Sequence, residues 1–386
     1  MGTRSNIRCA GASAVLCVLA LLRNGDLLAA ADVPAPAAQQ QTPRPRIGLV
    51  LGGGGARGSA HIGVLKVLEE MRIPIDYIVG TSMGSIVGGG YASGRSPEQL
   101  EAKIRSADWK RLLSDRIRRE DRTIYQKELE RENIWGLEIG YRDGQLLLPR
   151  GAVIGSQIEL FFGGLVNLYH GSFDDLVIPF RAVATDIGTG EMVVIDQGSL
   201  VGAMRGSMSV PGVFAPYLFD NRLLVDGMLV ANLPVEVVRK MGADVVIAVN
   251  VGSKLQPRER IRDALSVTSQ MVSILTEQNV QASLKQLGPA DVLVDVQAEL
   301  GDFATGDFPD AVSTIPMGAT AARKVADKLG RYSLPAEAYE ALRAQQLARY
   351  QVIKADKTRI DTAGLKRVNP KSVEATVGAE PGGAPV

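Results

Sequence analysis

The chain has 386 residues, of which 46% are hydrophobic and 22% are charged, a composition that is ample for a globular domain with a sizeable core. The formal net charge is only +1, so no broad basic excess exists to neutralise phosphates, and nucleic acid is not an expected partner. Both cysteines, Cys9 and Cys17, lie near the start of the chain. The remainder can therefore form neither a disulfide nor a cysteine-based metal site.

Residues 1–31 are predicted to be a signal peptide. Arg4 and Arg8 precede an apolar run over residues 9–22, and three alanines at 29–31 offer a cleavage site. An uncleaved membrane anchor is the alternative interpretation, although the apolar run is short for a bilayer span. We expect an exported protein that is periplasmic, associated with the outer membrane or secreted.

Residues 32–45, rich in Pro, Ala and Gln, predict an extended linker. Beyond them, apolar runs alternate with stretches of helical periodicity. Strands are predicted at 47–51, 75–79, 180–185, 192–196, 245–251 and 292–296, and helices at 60–71, 85–92, 156–168 and 261–287. Residues 137–148 predict a hairpin. The strand–helix alternation predicts an α/β fold with a central, mostly parallel sheet.

Two glycine-rich turns follow the first two predicted strands. Residues 80–84 read Gly-Thr-Ser-Met-Gly, the Gly-x-Ser-x-Gly form of a nucleophile elbow, which exposes a serine hydroxyl between a strand and a helix. Residues 52–58 read Gly-Gly-Gly-Gly-Ala-Arg-Gly and can leave backbone N–H groups free at a helix N-terminus, where they suit an oxyanion. Together the two turns predict acyl transfer.

A serine hydroxyl needs a base to take its proton. The chain has two histidines, His61 and His170, and for both of them packing or surface exposure is favoured over catalysis. A desolvated carboxylate with a raised pKa can do the same work. Asp226 ends an apolar run, and Gly227 allows a tight turn that aims the carboxylate inward. An Asp-Gly pair alone is typical of a hairpin turn. Because neither histidine is favoured as the base, the serine elbow needs another one, and this need selects Asp226.

The first glycine turn has a competing interpretation. Gly53-x-Gly55-x-x-Gly58 follows a strand, and Asp76 lies near the place of a ribose-binding acid, which together match a dinucleotide-binding fingerprint. This alternative would make the protein a nucleotide-binding α/β oxidoreductase. A Walker phosphate loop is excluded because the Gly-Lys-Ser/Thr ending is missing.

The glycine loop, the serine elbow and the Asp-Gly turn resemble the pattern of the patatin-like phospholipase family, over residues 46–331. Residues 205–214, Arg-Gly-Ser-Met-Ser-Val-Pro-Gly-Val-Phe, also look like the family. The resemblance implies a three-layer α/β/α hydrolase in which Ser82 is the nucleophile and Asp226 the base. It implies an oxyanion hole at Gly53, Gly54, Gly55 and Ala56, with supporting motif positions at Arg57, Gly58, Gly80, Gly84 and Gly227. Met228 departs from the small residue that the family usually has there.

The resemblance further implies a lipid or phospholipid substrate, contact with a membrane surface, and no metal or cofactor. A non-catalytic lipid-binding patatin module is a further alternative. Apolar residues that are candidates for an acyl channel, and equally for the core, are Phe161, Phe162, Leu165 and Phe303. Arg57 is a candidate for steadying a lipid phosphate or for holding the glycine loop.

The last part of the chain changes character. Residues 332–358 predict a helical linker. Residues 359–386 resemble the start of the POTRA domain through which some bacterial patatins continue into an outer-membrane barrel. A disordered tail is the alternative for this stretch.

Overall fold

A computed structural model describes residues 44–114, 140–142, 145–147, 153–166 and 169–350. The predicted signal peptide, most of the linker after it and the POTRA-like stretch lie outside these ranges. The described fold belongs to the unit that begins at Pro45.

The strands of the described residues are β1 Ile47–Leu51, β2 Tyr77–Thr81, β3 Gly140–Arg142, β4 Gln145–Leu147, β5 His170–Ser172, β6 Phe180–Asp186, β7 Met192–Ile195, β8 Gln197–Ser199, β9 Tyr217–Phe219, β10 Arg222–Asp226, β11 Val245–Asn250 and β12 Val292–Asp295. The α-helices are α1 Ala60–Glu70, α2 Met83–Ala92, α3 Pro97–Arg105, α4 Trp109–Leu112, α5 Ser156–Val166, α6 Leu200–Ser207, α7 Val235–Lys240, α8 Ala264–Leu284, α9 Gln297–Leu300, α10 Ile315–Lys324, α11 Ala326–Leu329 and α12 Ala336–Arg349.

The central sheet has eight strands in the order β12-β11-β1-β2-β6-β10-β9, with β7 also paired to β6. The run from β12 to β6 is parallel. β7 and β10 each pair antiparallel with β6, and β9 pairs antiparallel with β10. The predicted α/β fold with a mostly parallel sheet is thus confirmed. The second strand starts at Tyr77, two residues later than the pattern indicated.

Hydrophobic side chains cover both faces of the sheet, because successive strand residues point to opposite sides. On one face, Leu49 and Leu51 of β1 lie in a core with residues of α1 and α2. On the other face, Val50 lies in a core with residues of α7 and with Val280 near the end of α8. The result is a helix–sheet–helix arrangement of three layers.

Two further predicted elements lie outside this sheet. The predicted hairpin is present as β3 and β4, which pair antiparallel with Gly140 opposite Leu147. The predicted helical linker contains α12, whose buried Gln346 donates a hydrogen bond from Nε2 to the Ile75 carbonyl at 2.8 Å. Helix α12 therefore contacts the segment that leads into β2. None of the described helices combines the length and hydrophobicity that a bilayer span requires.

The pairing along β6 brings two strand ends together. β2 runs parallel to β6 and ends with Thr81 opposite Val183, while β10 runs antiparallel and ends with Asp226 opposite Ala184. Because β7 occupies the other edge of β6, β2 and β10 lie end to end along the same edge. The residues that leave these two strands are therefore placed next to each other.

Candidate active site

The serine elbow is a strained turn. Ser82 has φ 53° and ψ −125°, a combination that non-glycine residues adopt at a cost and that concentrates at functional sites. The flanking glycines make the turn sterically feasible. A methyl group on Gly80 would lie 2.4 Å from the Gly84 carbonyl oxygen, and one on Gly84 would lie 2.1 Å from that of Leu51. The Gly-x-Ser-x-Gly spacing thus fits the close packing of the elbow on β1.

Ser82 and Asp226 form a buried hydrogen-bonded pair. Ser82 Oγ donates to Asp226 Oδ2 at 2.6 Å, and the Met228 N–H donates to Asp226 Oδ1 at 2.9 Å. Asp226 is fully buried. Burial raises the pKa of its carboxyl group from 3.8 to about 7, against the opposing effect of the two hydrogen bonds. A carboxylate with such a pKa can accept a proton near neutral pH.

Asp226-Gly227 is not a hairpin turn. The β9–β10 hairpin turns at Asp220 and Asn221, which have φ 45° and 61°, whereas Asp226 leads into a short 3-10 helix, Gly227–Leu229. A methyl group on Gly227 would lie 2.3 Å from the Val183 carbonyl oxygen. The departure at Met228 leaves the turn intact, because the contact to Asp226 uses the backbone N–H of that residue.

Two hydroxyl groups that the sequence analysis did not single out fix this pair in place. Ser207 Oγ accepts the Ser82 N–H at 2.9 Å and donates to the Val183 carbonyl at 2.6 Å. Thr185 Oγ1 donates to the Asp226 carbonyl at 2.9 Å. Ser207 belongs to the 205–214 segment, whose family-like sequence is the signal that could have pointed to it.

The glycine loop is fastened at both ends. The Gly53 N–H donates to Asn232 Oδ1 at 3.1 Å, and Asn232 Nδ2 donates back to the Gly53 carbonyl at 3.2 Å. The Ala56 N–H donates to the Thr305 carbonyl at 2.8 Å. Of the four predicted oxyanion positions, Gly53 and Ala56 thus have engaged N–H groups. The N–H groups of Gly54 and Gly55 have no partner among the described residues.

The loop also lies against the nucleophile. A methyl group on Gly53 would lie 2.9 Å from Ser82 Cβ, and one on Gly58 would lie 2.5 Å from Met83 Cγ. Buried Asn232, six residues after Asp226, is thus a positioning residue that the sequence analysis missed. The one signal for it was a polar residue inside the apolar run Leu-Val-Ala-Asn-Leu.

Arg57 holds the loop rather than a ligand. Arg57 is 1% exposed, and its guanidinium group donates to backbone carbonyls of two loops. The four acceptors are Val251 at 2.9 Å, Gly252 at 3.0 Å, Gly301 at 3.1 Å and Phe303 at 2.8 Å. Desolvation lowers the pKa of Arg57. With its donors committed in this way, Arg57 is not placed to steady a lipid phosphate, and the loop-holding alternative fits the structure.

Neither histidine contacts Ser82. His61 is fully buried, and its Nε2 lies 2.7 Å from the Gly52 carbonyl, to which it donates. Burial lowers the pKa of His61 to about 4, so the ring is neutral at physiological pH. His170 is exposed on β5, which pairs with β8 in a separate two-stranded sheet. The favoured reading of both histidines as packing or surface residues agrees with these positions.

Asp76 is at the wrong end of the sheet for a dinucleotide site. Its Oδ2 accepts the Ile47 N–H at 2.7 Å, at the start of β1, whereas the glycine loop follows the end of β1. In the dinucleotide fold, the pyrophosphate loop and the ribose-binding acid lie at the carboxyl ends of the strands. Here Ser82 follows the carboxyl end of β2. The oxidoreductase alternative therefore has no ribose-binding acid at the position that it requires.

The acyl-channel candidates lie largely in the core. Phe162 and Leu165 are buried in the hydrophobic cluster shared with α2. The Phe161 ring lies 5.8 Å from that of Trp109 and 6.1 Å from that of Phe162. The carbonyl of Phe303 accepts from Arg57. Of the two alternatives left open for these residues, the core alternative therefore fits Phe162 and Leu165.

An α/β sheet with a serine elbow and a buried carboxylate at one edge defines a hydrolase-like architecture. A family model described as patatin-like phospholipase matches residues 49–239. The chain therefore carries a patatin-like phospholipase domain.

Several known proteins are similar to this chain. A patatin-like phospholipase domain-containing protein of Caenorhabditis elegans is 39% identical over 210 residues, and protein 7 of that name from Rattus norvegicus is 37% identical over 211. Each match covers 54% of this chain and 14% of the relative. An NTE family protein of Mycobacterium bovis is 35% identical over 230 residues, covering 58% of this chain and 55% of the relative. The matched region is thus a small part of the first two relatives.

Among solved structures, VipD from Legionella pneumophila has a TM-score of 0.40 at 14% identity, covering 74% of this chain and 67% of VipD. The type III effector ExoU has a TM-score of 0.36 at 17% identity, covering 76% of this chain and 54% of ExoU.

Proposed function

We propose that the protein is a serine acyl hydrolase of the lipase or phospholipase A type, which cleaves lipid carboxylic esters with a Ser82–Asp226 dyad. The observation that carries the proposal is the 2.6 Å hydrogen bond from Ser82 Oγ to the buried Asp226 carboxylate, at a serine with φ 53°. A strained elbow serine with a base in contact is the arrangement that nucleophilic catalysis needs.

In the first half of the reaction, Ser82 Oγ attacks the ester carbonyl carbon while its proton passes to Asp226. The carbonyl oxygen becomes negatively charged, and the free N–H groups of Gly54 and Gly55 donate to it. The tetrahedral intermediate then collapses, and the leaving alcohol takes the proton from Asp226. The product of this half is an acyl ester on Ser82.

In the second half, a water molecule gives a proton to Asp226 and attacks the acyl carbon. The same N–H groups stabilise the second tetrahedral intermediate. Ser82 leaves and recovers its proton from Asp226, and the fatty acid is released. Asp226 thus acts as base and acid in turn, a role for which a pKa of about 7 is well matched.

The lipid substrate class is supported by the phospholipase description of the matched family and of the rat relative. Export, through removal of residues 1–31, and a POTRA-like continuation beyond residue 358 are part of the same proposal. They rest on the sequence patterns described above.

The proposal is tested with wild type, Ser82→Ala and a matched control, Ser93→Ala. Ser93 is also buried, and its Oγ donates to the Gly90 carbonyl at the end of α2. We expect wild type and Ser93→Ala to react with a fluorophosphonate and to hydrolyse both a soluble short-chain ester and phospholipid. Ser82→Ala should do none of these. Lipid binding without labelling or hydrolysis by wild type would instead identify a non-catalytic lipid-binding module.

A further inference from the structure

Helix α8 exposes an apolar stripe to solvent. Its exposed large hydrophobic residues recur at helical spacing and therefore share one face. They are Val267 at 46% exposure, Met271 at 60%, Ile274 at 38% and Leu275 at 49%. Glu277 is the one charged residue of the whole 21-residue helix, so this face has no charged side chains of its own to hydrate it. A contiguous exposed stripe of this kind marks a binding surface.

Basic residues lie directly before the stripe. Lys254, Arg258 and Arg260 are exposed in the stretch that leads into α8. Among the described residues, no hydrogen bond or ion pair holds the side chains of Arg258 and Arg260. Leu255, 44% exposed, adds an apolar side chain to this stretch. Free cationic groups beside an apolar face are the pattern of a helix that lies in a membrane interface and binds anionic lipid.

The stripe projects beyond the sheet. Among the helix residues whose side chains the structure describes, Val280 and Leu284 in the last turns of α8 pack on the sheet. The helix starts at the carboxyl side of β11, and residues 264–275 precede the part that packs, a length of about 18 Å at the usual helical rise. The exposed half of α8 is therefore at the same edge of the sheet as Ser82, which follows the carboxyl end of β2.

The other face of α8 contacts the active-site turn. Asn279 Nδ2 donates to the Met228 carbonyl at 2.8 Å, and Thr276 Oγ1 donates to the same carbonyl at 3.2 Å. Asn279 Oδ1 accepts the Asn232 N–H at 2.9 Å. One face of the helix thus supports the residues around Asp226 and the glycine loop, while the opposite face is open to solvent.

We propose that the stripe and the basic residues before it form a docking surface that binds an anionic phospholipid membrane and holds the Ser82 edge of the sheet against the lipid. The stripe enters the interface, where burial of its apolar side chains is favourable. Arg258 and Arg260 contact the anionic headgroups. This inference rests on the proposed function, since it names the surface from which that site takes its substrate.

The test measures binding of the full chain to vesicles of phosphatidylcholine, with or without phosphatidylglycerol. Two double variants remove the stripe and the charges separately: Met271→Ser with Ile274→Ser, and Arg258→Gln with Arg260→Gln. Matched controls are Leu347→Ser, which changes a helical leucine that is 50% exposed, and Lys328→Gln with Arg331→Gln, which removes two exposed charges elsewhere.

We expect wild type, Ser82→Ala and both controls to bind vesicles that contain phosphatidylglycerol, and high salt to weaken this binding. Each docking variant should bind about tenfold more weakly and should hydrolyse vesicle phospholipid about tenfold more slowly. Hydrolysis of a soluble short-chain ester should be unchanged, because none of the four substituted residues belongs to the catalytic machinery.

Unchanged vesicle binding by the docking variants would overturn the proposal while leaving the hydrolase intact. So would a wild-type dimer that the stripe variant dissociates, since a second copy would then cover the stripe. A stripe variant with a much lower unfolding temperature would likewise mean that another part of the chain covers it. Failure of wild type to hydrolyse the soluble ester would instead refute the proposed function. Vesicle binding by Ser82→Ala tests the docking surface without relying on hydrolysis.

Discussion

Two regions meet at this edge of the sheet, the Ser82–Asp226 pair and the glycine loop, and they are held in place in different ways. The Ser82 elbow and the Asp226 turn satisfy each other directly, through a hydrogen bond between their side chains. The glycine loop has no functional side chain facing the site. It is held from outside by His61, Asn232 and the Thr305 carbonyl, and by Arg57 of its own sequence.

The difference shows a division between two roles, with the reacting groups in one region and the backbone geometry in the other. The serine–aspartate pair supplies a nucleophile and a base, so a change there should abolish the reaction. The glycine loop supplies backbone N–H groups whose direction depends on distant supports. Changes to those supports should weaken turnover or folding by graded amounts.

Asp226→Asn should lower kcat/KM for a soluble ester by about a thousandfold or more, because the amide cannot accept the serine proton. The amide has the size of the carboxyl group, so the fold should be retained. Asp295→Asn is the matched control, since Asp295 also ends a strand of the sheet and accepts hydrogen bonds from Asn250 and Gln297. Wild-type activity in Asp226→Asn would remove Asp226 from the mechanism.

Asn232→Ala should lower kcat by about a hundredfold, the scale on which loss of one oxyanion donor is felt. Both hydrogen bonds between the Asn232 side chain and Gly53 are lost, and only the long 3.4 Å bond from the Gly53 N–H to the Asn232 carbonyl remains, so the direction of the loop N–H groups is no longer fixed. KM should change much less than kcat, because the loop acts on the transition state. A purely structural residue would lower the unfolding temperature and leave kcat unchanged, and that result would contradict the positioning role.

Arg57→Lys should lower the free energy of unfolding by about 2–4 kcal/mol, because an ammonium group cannot replace the planar fork that binds several buried carbonyls. Denaturant unfolding measures this loss, with Arg72→Lys as an exposed control. Below the unfolding transition, activity should fall by about tenfold on all esters alike. A loss confined to phospholipid, with soluble esters unaffected, would show that Arg57 binds the phosphate instead.

His61→Gln should have the smallest effect, with kcat/KM within about threefold of wild type. The glutamine amide can still donate to the Gly52 carbonyl, and the histidine it replaces is neutral above pH 5 because its pKa is lowered to about 4. Steady-state kinetics on the soluble ester measure the effect. A loss as large as that of Asp226→Asn would make His61 the base.

The same division explains what could be predicted from the sequence. The main strands of the sheet, the elbow at residue 82 and the turn at residue 226 depend on local patterns, such as apolar runs ended by glycine. These patterns predict the observed elements to within about two residues for β2. Other contacts join segments that are far apart in the sequence. They are the hydrogen bonds of the glycine loop to Asn232 and to the Thr305 carbonyl, and those of Arg57 to its four carbonyl acceptors. No local pattern specifies such contacts, so the prediction of four oxyanion donors could not be narrowed to Gly54 and Gly55.

The choice between an acyl channel and the core could not be made from the sequence for a related reason. Phe162 and Leu165 lie on an apolar helix, and periodicity alone does not say whether such a face meets a core or a ligand. Only the packing of α5 on α2 places them in the core. The reverse holds for α8, in which apolar residues of the same kind are exposed.

The pH dependence of kcat/KM for a soluble ester reports on the ionisation of the Asp226 carboxyl group. The pKa of the Asp226 carboxyl group is raised from 3.8 to about 7, and only its ionised form can accept the serine proton. Activity should therefore rise with pH through an inflection near 7 and level off above it, and this inflection should vanish in Asp226→Asn. Activity that stays constant down to pH 5, or an inflection near 7 that persists in Asp226→Asn, would contradict the Ser82–Asp226 dyad.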